Sequence, residues 1–323
     1  MELTQLLSEY MLGRKYNGLD SRLRELKYHW NAEGLSVEGR FFYLSFKDGR
    51  PSLDDFIQFI YDKIVYFCIP DTKIKESIRK YDETGDLKYI FQLNDQARNL
   101  FIRAKKQAKT TGEPAELILF ILMEGVMEAP QIACKMFLKT STNMPVHGSD
   151  GIHVSFDQSS KRLKLYWGES KLYQELSSAI DEIANSIETF ISADEDGVPK
   201  DRDIEIIKDH ISIENPLLKT ELLKYFDPYE EQSNQLEENY ACFVGFNYSV
   251  LERLEQFEQE KIYEQFEEHY LQRVQTACDL FAKKIASSDK LRRLRFLFFL
   301  IPFESIAEVR SKFLRKLGVN DAE

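Results

Sequence analysis

The sequence predicts an α/β protein, a mixed sheet with helices packed against it. Three observations carry this expectation. Residues 152–156 and 163–168 alternate with a period of two, Ile152, Val154, Phe156, Leu163, Leu165 and Trp167 making one apolar face, the pattern of a hairpin with one buried face. The run YACFVGFNYSV (240–250) is apolar without alternation, as in a strand buried on both faces. The order along the second part of the chain is helix, three strands, helix, strand, helix, strand, helix. That order suits a mixed sheet with an antiparallel meander at its start.

Residues 1–105 read as a mostly helical region with one clear strand, RFFYLSF (40–46). Glu25-Leu26-Lys27 falls in what reads as an ordinary helix. DGRPS turns the chain into the helix DDFIQFIYDKIVYFCI, which Pro70 ends, and KYIFQLNDQARNLFIRAKKQAK forms another. KTTGEP (109–114) marks a boundary, so residues 106–323 read as a second domain. In it AELILFILMEGVME (115–128) is apolar nearly all round, which predicts a deeply buried helix. KMFLKTS (135–141) reads as a short strand, TNMPVHGSDG as a loop, and IHVSF and RLKLYWGES as the second and third strands. The helix KLYQELSSAIDEIANSIETFI follows. The charged break ADEDGVPKDRD then opens a helical insertion over about residues 193–239. A long helix at 251–286, the strand RRLRFLFFLIPF and the helix ESIAEVRSKFLRKLG complete the reading.

With 323 residues, 43% of them hydrophobic, the chain can bury one large core or two ordinary ones. A net charge of -11 excludes a positive field over the whole molecule, so contact with nucleic acid must come from a local patch or through a partner. The cations between Lys283 and Lys316 are one candidate patch; solvated helix faces explain them equally well. Cys68, Cys134, Cys242 and Cys278 show no CxxC spacing, which argues against a zinc site and fits a reducing compartment. MELTQLLSEYMLGRK lacks the pattern of a signal peptide, and FLFFLIPF is too short to span a bilayer. The expectation is a cytoplasmic protein with no membrane partner.

The hairpin carries the chemistry. Centring its turn on Ser159-Ser160 sets Phe156 opposite Leu163, Val154 opposite Leu165 and Ile152 opposite Trp167, all apolar on one face. The same register sets Asp150 opposite Glu169, with Lys171 two residues on along that face. Two carboxylates that close repel each other, and a divalent cation removes the conflict. Mg2+ is the expected cofactor, with Mn2+ able to substitute, since hard cations take oxygen ligands and need only one or two carboxylates beside water and phosphate. Lys171 would orient the attacking water and stabilise charge on the phosphoryl group. Glu116, at the start of the buried helix, is the candidate third carboxylate, with Glu113 and Glu124 as competitors. The blander reading makes Asp150 a turn residue in HGSDG, and Glu169 with Lys171 a salt-bridged strand end. His147 and Lys139 are candidate substrate contacts. His153, on the polar face, and Cys134, in an apolar segment, read as structural.

An acidic residue on a first helix, Asp150 at the start of a strand and Glu169-x-Lys171 on the next resemble the PD-(D/E)XK nuclease superfamily. Ser149 stands where that motif has proline. The resemblance, covering about residues 112–185, implies a restriction-endonuclease-like αβββαβ core and metal-dependent cleavage of DNA. The segments KMFLKTSTNMPVHGSDGIHV and LYWGESKLY are also similar to the HamA family, nuclease subunits of Hachiman antiphage defence systems. That similarity implies a HamB helicase as partner, which would hold the nuclease in check and release it on aberrant DNA. Residues 1–105 would then serve as the partner interface. The rival expectation is a non-catalytic module of the same fold that docks a partner or DNA.

Overall fold

A computed structural model describes residues 3–12, 16–107, 113–138, 148–193 and 197–319. In chain order its elements are α1 (Leu3–Leu12), β1 (Leu23–Leu26), β2 (Ser36–Leu44), β3 (Phe46–Lys47), β4 (Arg50–Pro51), α2 (Leu53–Tyr61), α3 (Ile64–Cys68), α4 (Asp71–Thr84), α5 (Lys88–Gln107) and α6 (Glu113–Gly125). There follow α7 (Lys135–Leu138), β5 (Gly151–Asp157), β6 (Arg162–Tyr173), α8 (Leu176–Phe190), α9 (Pro199–His210), α10 (Pro216–Leu223), β7 (Leu236–Asn247), α11 (Ile262–Ala286), β8 (Arg295–Phe303) and α12 (Ile306–Lys316). The expected class holds. Six strands hydrogen-bond in the order β1-β2-β8-β7-β6-β5, with β8 parallel to β2 and β7, and with β1–β2 and β5–β6 antiparallel. The chain forms two compact units, one of Met1–Tyr16, Ile60–Gly168 and Phe190–Glu238, the other of Asn17–Phe59, Glu169–Thr189 and Asn239–Glu323.

In the first unit α6 is apolar on every side because every side is covered: Leu117 through Met123 are each at most 1% exposed. Phe120 meets the rings of Phe67 and His153. The β5–β6 hairpin has the register that its apolar pattern selects, pairing Phe156 with Leu163, Val154 with Leu165 and Ile152 with Trp167. Asp157 closes the turn, its Oδ1 accepting the Ser159 amide at 2.9 Å and the Ser159 hydroxyl at 2.7 Å.

One expected strand is missing. Residues 135–138 form the short helix α7, and 139–141 lie outside the described residues. The place beside β5 is taken by the segment just upstream. The Ile132 amide donates to Ile152, Val154 donates to Pro130, and Gln131 bridges His153 in antiparallel fashion. An apolar stretch as short as KMFL carries no period that separates strand from helix. The meander is thus a bridge followed by two strands, and the αβββαβ expectation is corrected to that extent.

In the second unit β8 is the central strand, and its residues Phe296–Phe303 are all buried, as a strand paired in parallel on both sides requires. Phe266, Tyr270, Val274 and Phe281 of α11 are fully buried, and Phe281 stacks on Phe298 with centroids 4.4 Å apart. Two local expectations are corrected here. Residues 23–26 form the strand β1 rather than a helix. Leu23 and Leu26 are buried, and Glu25 pairs with Arg40 on the neighbouring strand. Sheet pairing overrides the helical preference of the local sequence. The long helix begins at Ile262, not at 251, with short 3-10 turns before it at Leu251–Gln256 and Gln259–Lys261. There the chain folds back on the helix start, with Phe257 stacked on His269 and the Glu258 amide donating to Gln265.

The Tyr270 hydroxyl lies 3.0 Å from the Phe42 carbonyl and 3.1 Å from that of Leu300, so it ties α11 to both β2 and β8. Tyr270→Phe keeps the ring and deletes the tie. It should cost about 1 kcal/mol, read as a lower urea midpoint with an unchanged slope.

Candidate active site

Each side of the candidate site is built by its own stretch of chain. At the open end of the hairpin, Gly151 pairs with Gly168, and the Asp150 amide donates to the Gly168 carbonyl at 2.7 Å. Gly168 has to be small. A Cβ there would stand 3.0 Å from the Gly151 nitrogen and 3.0 Å from Leu119 Cδ2, so the close approach of the two strands and α6 fixes the residue type. Asp150 itself is half-buried.

Past Gly168 the strand continues into the second unit with Glu169 and Lys171. The two lie on the face that begins with Leu163, Leu165 and Trp167, which are at most 1% exposed. The Lys171 ammonium donates to Glu169 Oε1 at 2.5 Å, and the two side chains are 21% and 11% exposed. The run of a buried face into charge is therefore met by an ion pair two residues apart on one strand. In the same unit, burial pushes the Cys242 thiol well up, and the charge of Glu169 adds to the effect. That thiol is no nucleophile at neutral pH.

The other candidates separate clearly. Glu116 is half-buried in the first turns of α6. Glu124 is 1% exposed and already engaged. Its Oε2 accepts the Tyr16 hydroxyl at 2.6 Å and its Oε1 the Gln131 amide at 2.9 Å, which makes it a structural carboxylate at the end of α6. His153 is buried with Nδ1 2.9 Å from the Ala129 carbonyl, and the Cys134 thiol donates to Phe67. Both are structural, though Cys134 precedes a helix rather than opening a strand. Lys139, His147 and the side chain of Glu113 lie outside the described residues. Among the described residues, no three His, Cys, Asp or Glu side chains gather closely enough to hold a metal ion.

Sequence reasoning missed a buried cluster next to Asp150. Lys135 and Asp203, 7% and 1% exposed, form an ion pair with Nζ 3.1 and 2.9 Å from the two carboxylate oxygens. Asp203 Oδ2 also accepts the Ser149 amide at 3.0 Å and the Ser149 hydroxyl at 2.7 Å, while Lys135 donates to the Ser149 carbonyl at 2.6 Å. The partners lie 68 positions apart, and Asp203 sits in a stretch that reads as solvated charge, so no spacing rule could join them. A lysine in the apolar stretch ACKMFL was the available signal.

Among the described residues no helix is long and apolar enough to cross a membrane. Comparison with curated proteins gives no match. A family profile does match, over residues 21–317 of the 323, and that span takes in the hairpin, Asp150 and the Glu169–Lys171 pair. The chain belongs to the HamA family.

Proposed function

We propose that the chain is a Mg2+-dependent DNA nuclease, the effector of a Hachiman antiphage defence system, held in check by a HamB-type helicase. The observation that carries this reading is the hairpin register. Facing positions sum to a constant from Asp157–Arg162 to Gly151–Gly168, and there the regular ladder ends: the Asp150 amide also donates to the Gly168 carbonyl, so Asp150 stands at the last rung and Glu169 follows directly after Gly168 on the other strand. Two carboxylates brought together at this end of the hairpin would offer oxygen donors alone, which suits a hard cation that keeps several waters. Asp150 and Glu169 would hold Mg2+, with Glu116 completing or supporting the set. When bound, the ion supplies Lewis-acid polarisation of the phosphoryl oxygen and makes water a better nucleophile.

The chain's own residues supply the rest. Lys171, already hydrogen-bonded to Glu169, orients the attacking water and offers positive charge where negative charge grows on the phosphoryl group. Water adds to phosphorus, and the bond from phosphorus to the leaving oxygen breaks. A rival reading rests on the Glu169–Lys171 ion pair itself, which satisfies both charges and would equally suit a non-catalytic docking module. Magnesium-dependent cleavage decides between them.

Control by a helicase finds support in exposed apolar side chains of residues 1–105, the region proposed as the interface. Ile78, Leu87 and Phe91 are 43, 52 and 64% exposed, on or beside α4 and α5. Apolar side chains of that size left in water are what a partner surface covers.

Asp150→Ala, Glu169→Ala and Lys171→Ala should each lower plasmid cleavage in Mg2+ by about 100-fold or more, with the helicase present and the fold retained by circular dichroism. EDTA should abolish the wild-type reaction. Full cleavage by all three variants, or cleavage indifferent to EDTA, would refute the assignment. Phe91→Glu should weaken association with the helicase by about tenfold in a titration while leaving the melting temperature unchanged, as loss of one interface anchor does.

A further inference from the structure

We infer that Lys135 and Asp203 are positioning residues for Asp150: their buried ion pair clamps Ser149 and so fixes the backbone that carries the Asp150 carboxylate. The inference deepens the nuclease reading and rests on it. All of its geometry lies within the first unit.

Consider the peptide that joins Ser149 to Asp150. Its carbonyl oxygen is held by Lys135 Nζ at 2.6 Å, and its amide is held by the Gly168 carbonyl at 2.7 Å. A peptide is planar, so holding both of its ends fixes the plane from which Asp150 departs. The preceding amide and the Ser149 hydroxyl both donate to Asp203 Oδ2, at 3.0 and 2.7 Å. Every polar group of Ser149 is therefore tied to the pair, directly before the residue proposed to bind metal.

Gly148 belongs to the same device. A Cβ at that position would stand 2.5 Å from Asp203 Oδ1 and 2.6 Å from Lys135 Nζ, so the pair fills the space a side chain would need. Stability alone gives no account of these charges. Two opposite charges taken out of water contribute little compared with apolar side chains of similar volume. An apolar pair could fill the volume; it could not hold three polar groups of one residue. Carboxylates that bind metal depend on such outer partners for orientation.

The test uses the full chain and Mn2+ alone, which is read by electron paramagnetic resonance without any cleavage step. The double variant Lys135→Met/Asp203→Leu removes both charges together but leaves the polar groups of Ser149 without these partners, so it should stay folded and melt below the wild-type temperature. It should bind Mn2+ about 10- to 100-fold more weakly, the usual loss for an outer partner of a metal ligand. Hydrogen exchange should rise in the peptide covering 148–151 and stay slow over 152–156 and 163–167. Gly148→Ala should give the same pair of changes by wedging the ion pair apart. Should the double variant fail to fold, Asp203→Asn carries the same two readouts, since it keeps an acceptor for Ser149 and deletes the charge facing Lys135. Asp150→Asn separates the two ideas. If wild type binds no Mn2+, or Asp150→Asn binds it as wild type does, the metal reading falls and the inference falls with it. If Asp150→Asn loses binding while the folded Lys135 and Asp203 variants keep wild-type affinity and slow exchange over 148–151, the positioning role alone is overturned.

Discussion

Ile152 and Val154 face Trp167 and Leu165 across the hairpin, all four at most 1% exposed, with Leu163 buried beside a half-covered Phe156. Burying side chains of this size is worth roughly 1.5–3 kcal/mol each, and a one-residue slip would turn the whole set to the other face. No turn preference competes with that sum. The register is therefore fixed by apolar burial, and the polar residues at the open end have no say in where they stand. On the proposed reading, Asp150, Glu169 and Lys171 would be carried to their positions by neighbours that do no chemistry, and the site would share the rigidity of a core that a loop-borne site lacks.

That origin also explains why buried charge collects at this end of the hairpin. A face that is apolar from Leu163 to Trp167 cannot accept an isolated carboxylate at Glu169 without a partner, and Lys171 supplies one. Asp203 is buried more completely and is met more completely, by an ammonium, an amide and a hydroxyl. Glu124 is met by a phenol and an amide. Beside Glu169 and Asp203 the compensating group is a lysine.

Much of this was legible in the chain. The period-two faces of 152–156 and 163–167 and the uninterrupted apolar runs of β7 and β8 report burial directly, because burial is what selects those residues. Elements set by distant partners stayed hidden. Leu23 and Leu26 look helical until β2 is there to pair with them. KMFL looks like a strand because three apolar residues have no measurable period, whereas the bridge beside β5 uses Pro130–Ile132, where proline and glutamine weaken a strand reading. Lys135 and Asp203 meet only once α7 and α9 have both packed. For the site, a sequence can show residues that share a strand face, and it cannot show residues that share a cavity.

Charge sets the terms on which DNA could be met. At a net charge of -11, repulsion from phosphate is screened beyond about 8 Å at physiological ionic strength, so attraction has to be local. Several cations of the C-terminal region are already engaged. In the second unit, Lys284 pairs with Asp181, Arg292 with Asp289, and Lys312 with Asp54 and Glu308, while Arg310 donates to the Leu172 carbonyl. An open cavity of about 850 Å³ lined by Trp30, Lys283, Arg292 and Arg293 also carries Glu33 and Asp279 on its walls, which offset the positive charge. Ion pairs of this kind bind the chain to itself rather than to a polyanion. A partner that grips DNA by its own basic surface would remove the difficulty, because a nuclease delivered at high local concentration needs little affinity of its own. The proposed control by a helicase would meet this electrostatic limit.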